Sequence, residues 1–178
     1  MAGAGYDPLA KALHWITALL VLGLIGLGLW MVDLPISLTK LLAYGWHKWI
    51  GLVVLVLTIV RLLWRWRAPP PPLPDTVTGL HRRLAPLSHG GLLVLLLAMP
   101  VSGWQMSSAG GVTVYWFGLL QLPDLVPRDP LTFEMLRTLH HALAWALIAL
   151  LAVHVLAVIQ HDVLRRDGIF RRMRPLSG

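Results

Sequence analysis

Histidine is the residue type in this sequence whose placement points to chemistry. Four of its eight histidines, His14, His47, His140 and His154, lie in long apolar runs, near an end of the run. Ionisable side chains are costly inside apolar segments and mark function there, and a neutral imidazole offers a ring nitrogen to a metal. His140 and His154 are 14 residues apart. On an α-helix this spacing falls about 40° short of four turns and rises about 21 Å, so the two share a face and sit near opposite sides of a bilayer. His14 opens the first apolar run and falls level with His154, whereas His47 opens the second and falls level with His140. Each pair, His14 with His154 and His47 with His140, can supply both axial ligands of a haem iron. Two imidazoles fill both axial positions, which suits electron transfer better than substrate activation.

The remaining intramembrane histidines have weaker claims. His141 is turned about 100° from the face shared by His140 and His154 and reads as a lining or packing residue. His89, near the start of the third run, reads as a quinone hydrogen-bond partner or an interfacial residue, with an axial role in a different pairing as the alternative. His161 follows His154 by seven residues, about 20° short of two turns. It is the best candidate for quinone contact or proton delivery, set against an ordinary interfacial histidine.

Holding these rings requires membrane-spanning helices. The chain has 178 residues, of which 57% are hydrophobic and 13% charged, whereas soluble domains carry roughly 25% charge. Four runs, approximately 12–32, 41–64, 84–106 and 138–161, are long enough to cross a hydrocarbon core. They use up the chain as a single unit over residues 1–178. The expected fold is therefore an all-α membrane protein, a four-transmembrane-helix bundle enclosing two haems. The first run is too long for a signal peptide and lacks a small-x-small cleavage site, so it reads as a retained helix. Pro69 to Pro72 and Pro74 end the second helix, Pro100 is expected to kink the third, and Gly110 and Gly111 end it. The apolar stretch from Val112 to Leu122 is too short to span and belongs at the interface, where Tyr115 and Trp116 suit the aromatic belt. Gly23, Gly26, Ala142, Ala146 and Ala149 are small enough to make room for a flat macrocycle.

Charge sets orientation and excludes other classes. Lys11, Arg61, Arg65, Arg67, Arg82, Arg83, Arg165, Arg166, Arg171, Arg172 and Arg174 fall on one side, against Lys40, Lys48, Arg128 and Arg137 on the other. The positive-inside rule then places both termini and the proline loop in the cytoplasm. The net charge of +7 has this topological origin and gives no continuous basic face for nucleic acid. The absence of cysteine rules out thiolate-ligated haem, Cys-bound clusters and c-type attachment. A histidine-lined proton or metal transporter is a less favoured reading, because the mid-membrane positions are mostly Leu, Val, Ala and Ile.

Several short motifs occur together: Tyr6-Asp7-Pro8 leading to Leu13-His14-Trp15; His47; Met99-Pro100-Val101-Ser102-Gly103-Trp104; His140, His154 and His161-Asp162; then Arg166-Asp167-Gly168 and Arg172-Met173. In this combination the chain resembles the prokaryotic cytochrome b561 family over essentially its full length. The resemblance implies a four-helix cytochrome of the bacterial inner membrane carrying two haem b groups, with His14, His47, His140 and His154 at the positions of the family's axial ligands. One branch of that family is a superoxide oxidase, which passes electrons from superoxide at the periplasmic face through the haems to ubiquinone. Such an activity would draw the anion with Lys48, Arg137 and Arg128, opposed by Asp124, Asp129 and Glu134. Lys48 and Arg137 also fit haem-propionate pairing or ordinary snorkelling. The alternative is a cytochrome b subunit that relays electrons for a partner dehydrogenase or hydrogenase, using the same four histidines. Lipid and quinone are expected partners in either case.

Overall fold

A computed structural model describes residues 5–72, 79–165 and 168–174. Pro74, Arg166 and Asp167 lie outside the described residues. Four helices dominate: α1 (Pro8–Val32), α2 (Leu38–Arg67), α3 (Gly79–Ala109) and α4 (Pro130–Ile159). Each has an apolar stretch long enough to cross a membrane, and the chain is a four-span, all-α membrane bundle.

The helices run past their apolar cores because polar signals outside those cores start and stop them. Asp7 caps α1 by accepting from the Ala10 amide at 3.0 Å, with Pro8 in the first turn, where a missing N–H costs nothing. Ser37 caps α2 through the Lys40 amide. Asp129 caps α4 through the Thr132 amide at 2.7 Å, again followed by proline, so α4 begins eight residues ahead of its charge-free stretch. At the other ends, Pro69 to Pro72 terminate α2. Gly111, at φ +70°, turns the chain out of α3, with its amide bonding Ser108 and the Val112 amide reaching back to Ser107. Helix α3 continues through both Pro86 and Pro100.

Packing follows chain order, α1 on α2, α2 on α3 and α3 on α4. The apolar centre takes one buried residue from each helix, Val21, Val54, Leu96 and Leu147. Leu147 is seven residues from both His140 and His154, Val21 seven from His14, and Val54 seven from His47. Seven residues are about two turns, or about 10 Å, so an apolar layer lies midway between two levels of histidine.

Two small elements close the ends. Between α3 and α4 the segment that reads as interfacial folds into an antiparallel hairpin, β1 (Tyr115–Trp116) with β2 (Leu120–Gln121). Phe117 and Gly118 turn it with positive φ. The hairpin is fastened to α2 by the Trp49 indole donating to the Tyr115 carbonyl and the Trp116 indole donating to the Trp49 carbonyl. At the opposite end α4 passes into a π-helical turn, Gln160–Arg165, and a short 3-10 helix, Phe170–Met173. This tail straps onto α1: the Tyr6 amide donates to the Arg172 carbonyl at 3.1 Å, and the Trp15 indole to the Met173 carbonyl at 2.8 Å. Arg172 also donates to the Pro72 carbonyl.

Candidate functional site

The hairpin end of the bundle brings together His47 from α2 and His140 from α4, with ring centroids 6.4 Å apart and planes at 75°. Each ring is pressed against a glycine of a further helix, His47 against Gly28 of α1 and His140 against Gly103 of α3. A Cβ on Gly28 would stand 3.1 Å from His47 Cε1, and one on Gly103 would stand 3.2 Å from His140 Cε1. Ser102 fixes the state of His140. Its hydroxyl donates to the Met99 carbonyl at 2.8 Å and lies 2.9 Å from His140 Nδ1. A hydroxyl has a single proton. With that proton committed to Met99, the Ser102 oxygen accepts from His140 Nδ1–H, which leaves the Nε2 lone pair free to ligate. His47 Nδ1 is buried and has no hydrogen-bond partner among the described residues.

The tail end brings together His14 from α1 and His154 from α4, again with centroids 6.4 Å apart, at 64°. His89 from α3 stands 5.5 Å from His154. Arg61 Nη2 lies 3.1 Å from His14 Nδ1. A guanidinium only donates, so in this arrangement His14 carries its proton on Nε2. Ligation through that nitrogen requires the proton to move to Nδ1 and Arg61 to turn away.

Two metal–imidazole bonds of about 2 Å, plus about 1 Å from each nitrogen to its ring centre, separate the centroids of opposed ligands by roughly 6 Å. Both 6.4 Å pairs fit that requirement, whereas His89 and His154 are closer than it allows. The glycines against His47 and His140, and the prepared tautomer of His140, fit a bis-imidazole haem as well.

Comparison with known proteins identifies the family of the bundle. A model of the prokaryotic cytochrome b561 family matches residues 5–175. The chain belongs to that family. It is 32% identical to cytochrome b561 homolog 2 of Escherichia coli strain K12, over 94% of this chain and 90% of the relative. It is 25% identical to the probable superoxide oxidase CybB of Yersinia pestis, over 96% of each chain. Cytochrome b561 homolog 1 of E. coli K12 is 28% identical over 92% of this chain and 93% of its own length. Membership in the cytochrome b561 family carries b-type haem, transmembrane electron transfer and a multi-pass place in a bacterial membrane.

The other residues singled out in the sequence are less uniform. Arg137 forms an ion pair with Glu134 at 3.1 Å one turn away, both side chains being more than half exposed, which cancels much of its local field. The Arg128 side chain lies over Gly111, with Cδ only 2.8 Å from where a Cβ would be. Lys48 is half-buried beside His47. His161 is buried in the π-helical turn after α4, and His141 is exposed, off the paired rings. Sequence reasoning missed Ser102, Gly28, Gly103 and Arg61 as neighbours of the histidines. The small polar residue beside a glycine at Ser102-Gly103, inside an apolar helix, was the available signal.

Proposed function

We propose that this cytochrome b561 carries electrons through two b haems, one held by His47 and His140 and the other by His14 and His154, from a small donor such as superoxide to membrane ubiquinone. The observation that carries the proposal is the equal 6.4 Å spacing of the two pairs, separated by one apolar layer. The haems supply reversible one-electron chemistry when bound. The protein orients the imidazoles, excludes water between the two levels with Val21, Val54, Leu96 and Leu147, and handles charge at each end.

The hairpin end is read as periplasmic and the strapped termini as cytoplasmic, from the excess of Lys and Arg at the latter. Lys48, adjacent to His47, is the strongest steering group for an anionic donor. Arg137 contributes less because Glu134 neutralises it. Arg61, with no carboxylate in ion-pair distance among the described residues, suits a haem propionate. His161, buried just beyond His154, and His89, beside that ring, are assigned to quinone contact. Kinship with a probable superoxide oxidase supports superoxide as the donor, in preference to a docked partner protein.

The test is a pyridine haemochrome assay with reduced-minus-oxidised spectra on detergent-purified protein. Two b haems per chain are expected, with His47→Ala or His140→Ala losing one and His14→Ala or His154→Ala losing the other. Single variants that all retain two haems would refute the pairs. Stopped-flow reduction by superoxide should proceed without a partner protein and slow about tenfold in Lys48→Glu, with the salt dependence reduced.

A further inference from the structure

The two rings at the hairpin end differ in what meets Nδ1. His47 Nδ1 has no partner among the described residues, whereas His140 Nδ1 meets Ser102 Oγ at 2.9 Å. Ser102 is 3% exposed, so water does not compete for its oxygen. The hydroxyl is itself polarised, because its proton is given to Met99 at 2.8 Å. A hydroxyl that donates becomes a better acceptor, and bonds in such a chain strengthen one another. An acceptor on the far nitrogen of a ligating histidine orients the ring and raises its basicity. Greater basicity favours ferric over ferrous iron.

Resting on the haem assignment above, we propose that Ser102 is a positioning residue that holds the potential of the haem at His47 and His140 low by accepting from His140 Nδ1–H. The opposite end lacks this device. Among the described residues His14 Nδ1 meets only the Arg61 guanidinium, which donates and cannot accept, so no acceptor raises the basicity of that ring. The two sites are thereby made unequal. With both haems bound, one electron taken up at the site of His47 and His140 would run downhill to the site of His14 and His154, with no bond broken and no proton moved between them. Direction is set by groups that never touch the donor.

The test is a spectroelectrochemical titration of the purified holoprotein, in which the component missing from His140→Ala identifies the affected haem. Ser102→Ala is expected to keep two haems per chain, because Ser102 meets the far nitrogen of His140 and supplies no ligand itself. It should shift the one-electron equilibrium of that component about tenfold toward the reduced form, ~59 mV upward. The second component should stay in place, and Ser102→Thr should return the first toward its original value. An unchanged potential in Ser102→Ala, equal movement of both components, or a Ser102→Thr protein that behaves like Ser102→Ala would overturn the proposal. A wild-type chain without haem between His47 and His140 would instead overturn the ligand assignment, before any variant is made.

Discussion

Glycine decides how closely two of the histidines approach the neighbouring helices. At Gly28 and Gly103 a Cβ would fall 3.1 and 3.2 Å from a histidine ring carbon, so alanine displaces the ring by a few tenths of an ångström. Helix propensity pulls the other way, since Gly→Ala in a helix interior gains about 1 kcal/mol. Ligation is the more sensitive quantity: Gly103→Ala should weaken haem retention at His140 about tenfold while the second haem stays, measured as haem per chain after dilution. Gly45→Ala, where no atom lies within 4 Å, should raise thermal stability and leave both haems in place. The spacing of His140 and His154 was legible in the sequence because helical arithmetic within one element needs no partner. Gly28, Gly103 and Ser102 were not, because their meaning comes from which helix lies opposite. Gly23 and Gly26 read equally well as space-makers, and a Cβ at either meets open space rather than a histidine ring.

Helix ends were harder to read than helix middles. The apolar runs locate four elements, but Asp7, Ser37 and Asp129 extend three of them into the polar region. The cap of α1 does a second task, since Asp7 also accepts from the Trp64 indole at 3.0 and 3.1 Å and ties the start of α1 to the end of α2. Desolvation pushes the Asp7 carboxyl up, but the bonds from the Ala10 amide and the Trp64 indole outweigh it and hold the carboxyl below its ordinary range. A depressed carboxylate stabilises the fold fully above its unfolded pKa of about 3.9 and ceases to do so as pH falls through the folded value. Asp7→Ala should therefore cost about 1 kcal/mol at neutral pH. In detergent melts the gap from wild type should close below about pH 4; a gap that persists there would show the carboxylate charge to be irrelevant. The hairpin gave no strand signal, because its paired segments are two residues each and its turn puts Phe117, not a glycine, at φ 51°.

For the molecule as a whole, orientation follows from where basic residues collect, a property of no single helix. Because the chain has no cysteine, single cysteines report on each face without background. Leu119→Cys, at a hairpin position 91% exposed, should react with a membrane-impermeant maleimide in intact cells, and Pro69→Cys only after permeabilisation. The reverse pattern would invert the topology. The tail strap adds a constraint on biogenesis. The ribosome delivers Arg172 and Met173 after all four helices, so the carbonyls that hold Tyr6 and Trp15 do not exist while α1 enters the bilayer. The tail contacts of α1 are therefore the last it acquires, and a chain stalled before Ile169 would present quality-control proteases with four spans in which the start of α1 is held by the bond between Asp7 and the Trp64 indole but not yet by the tail.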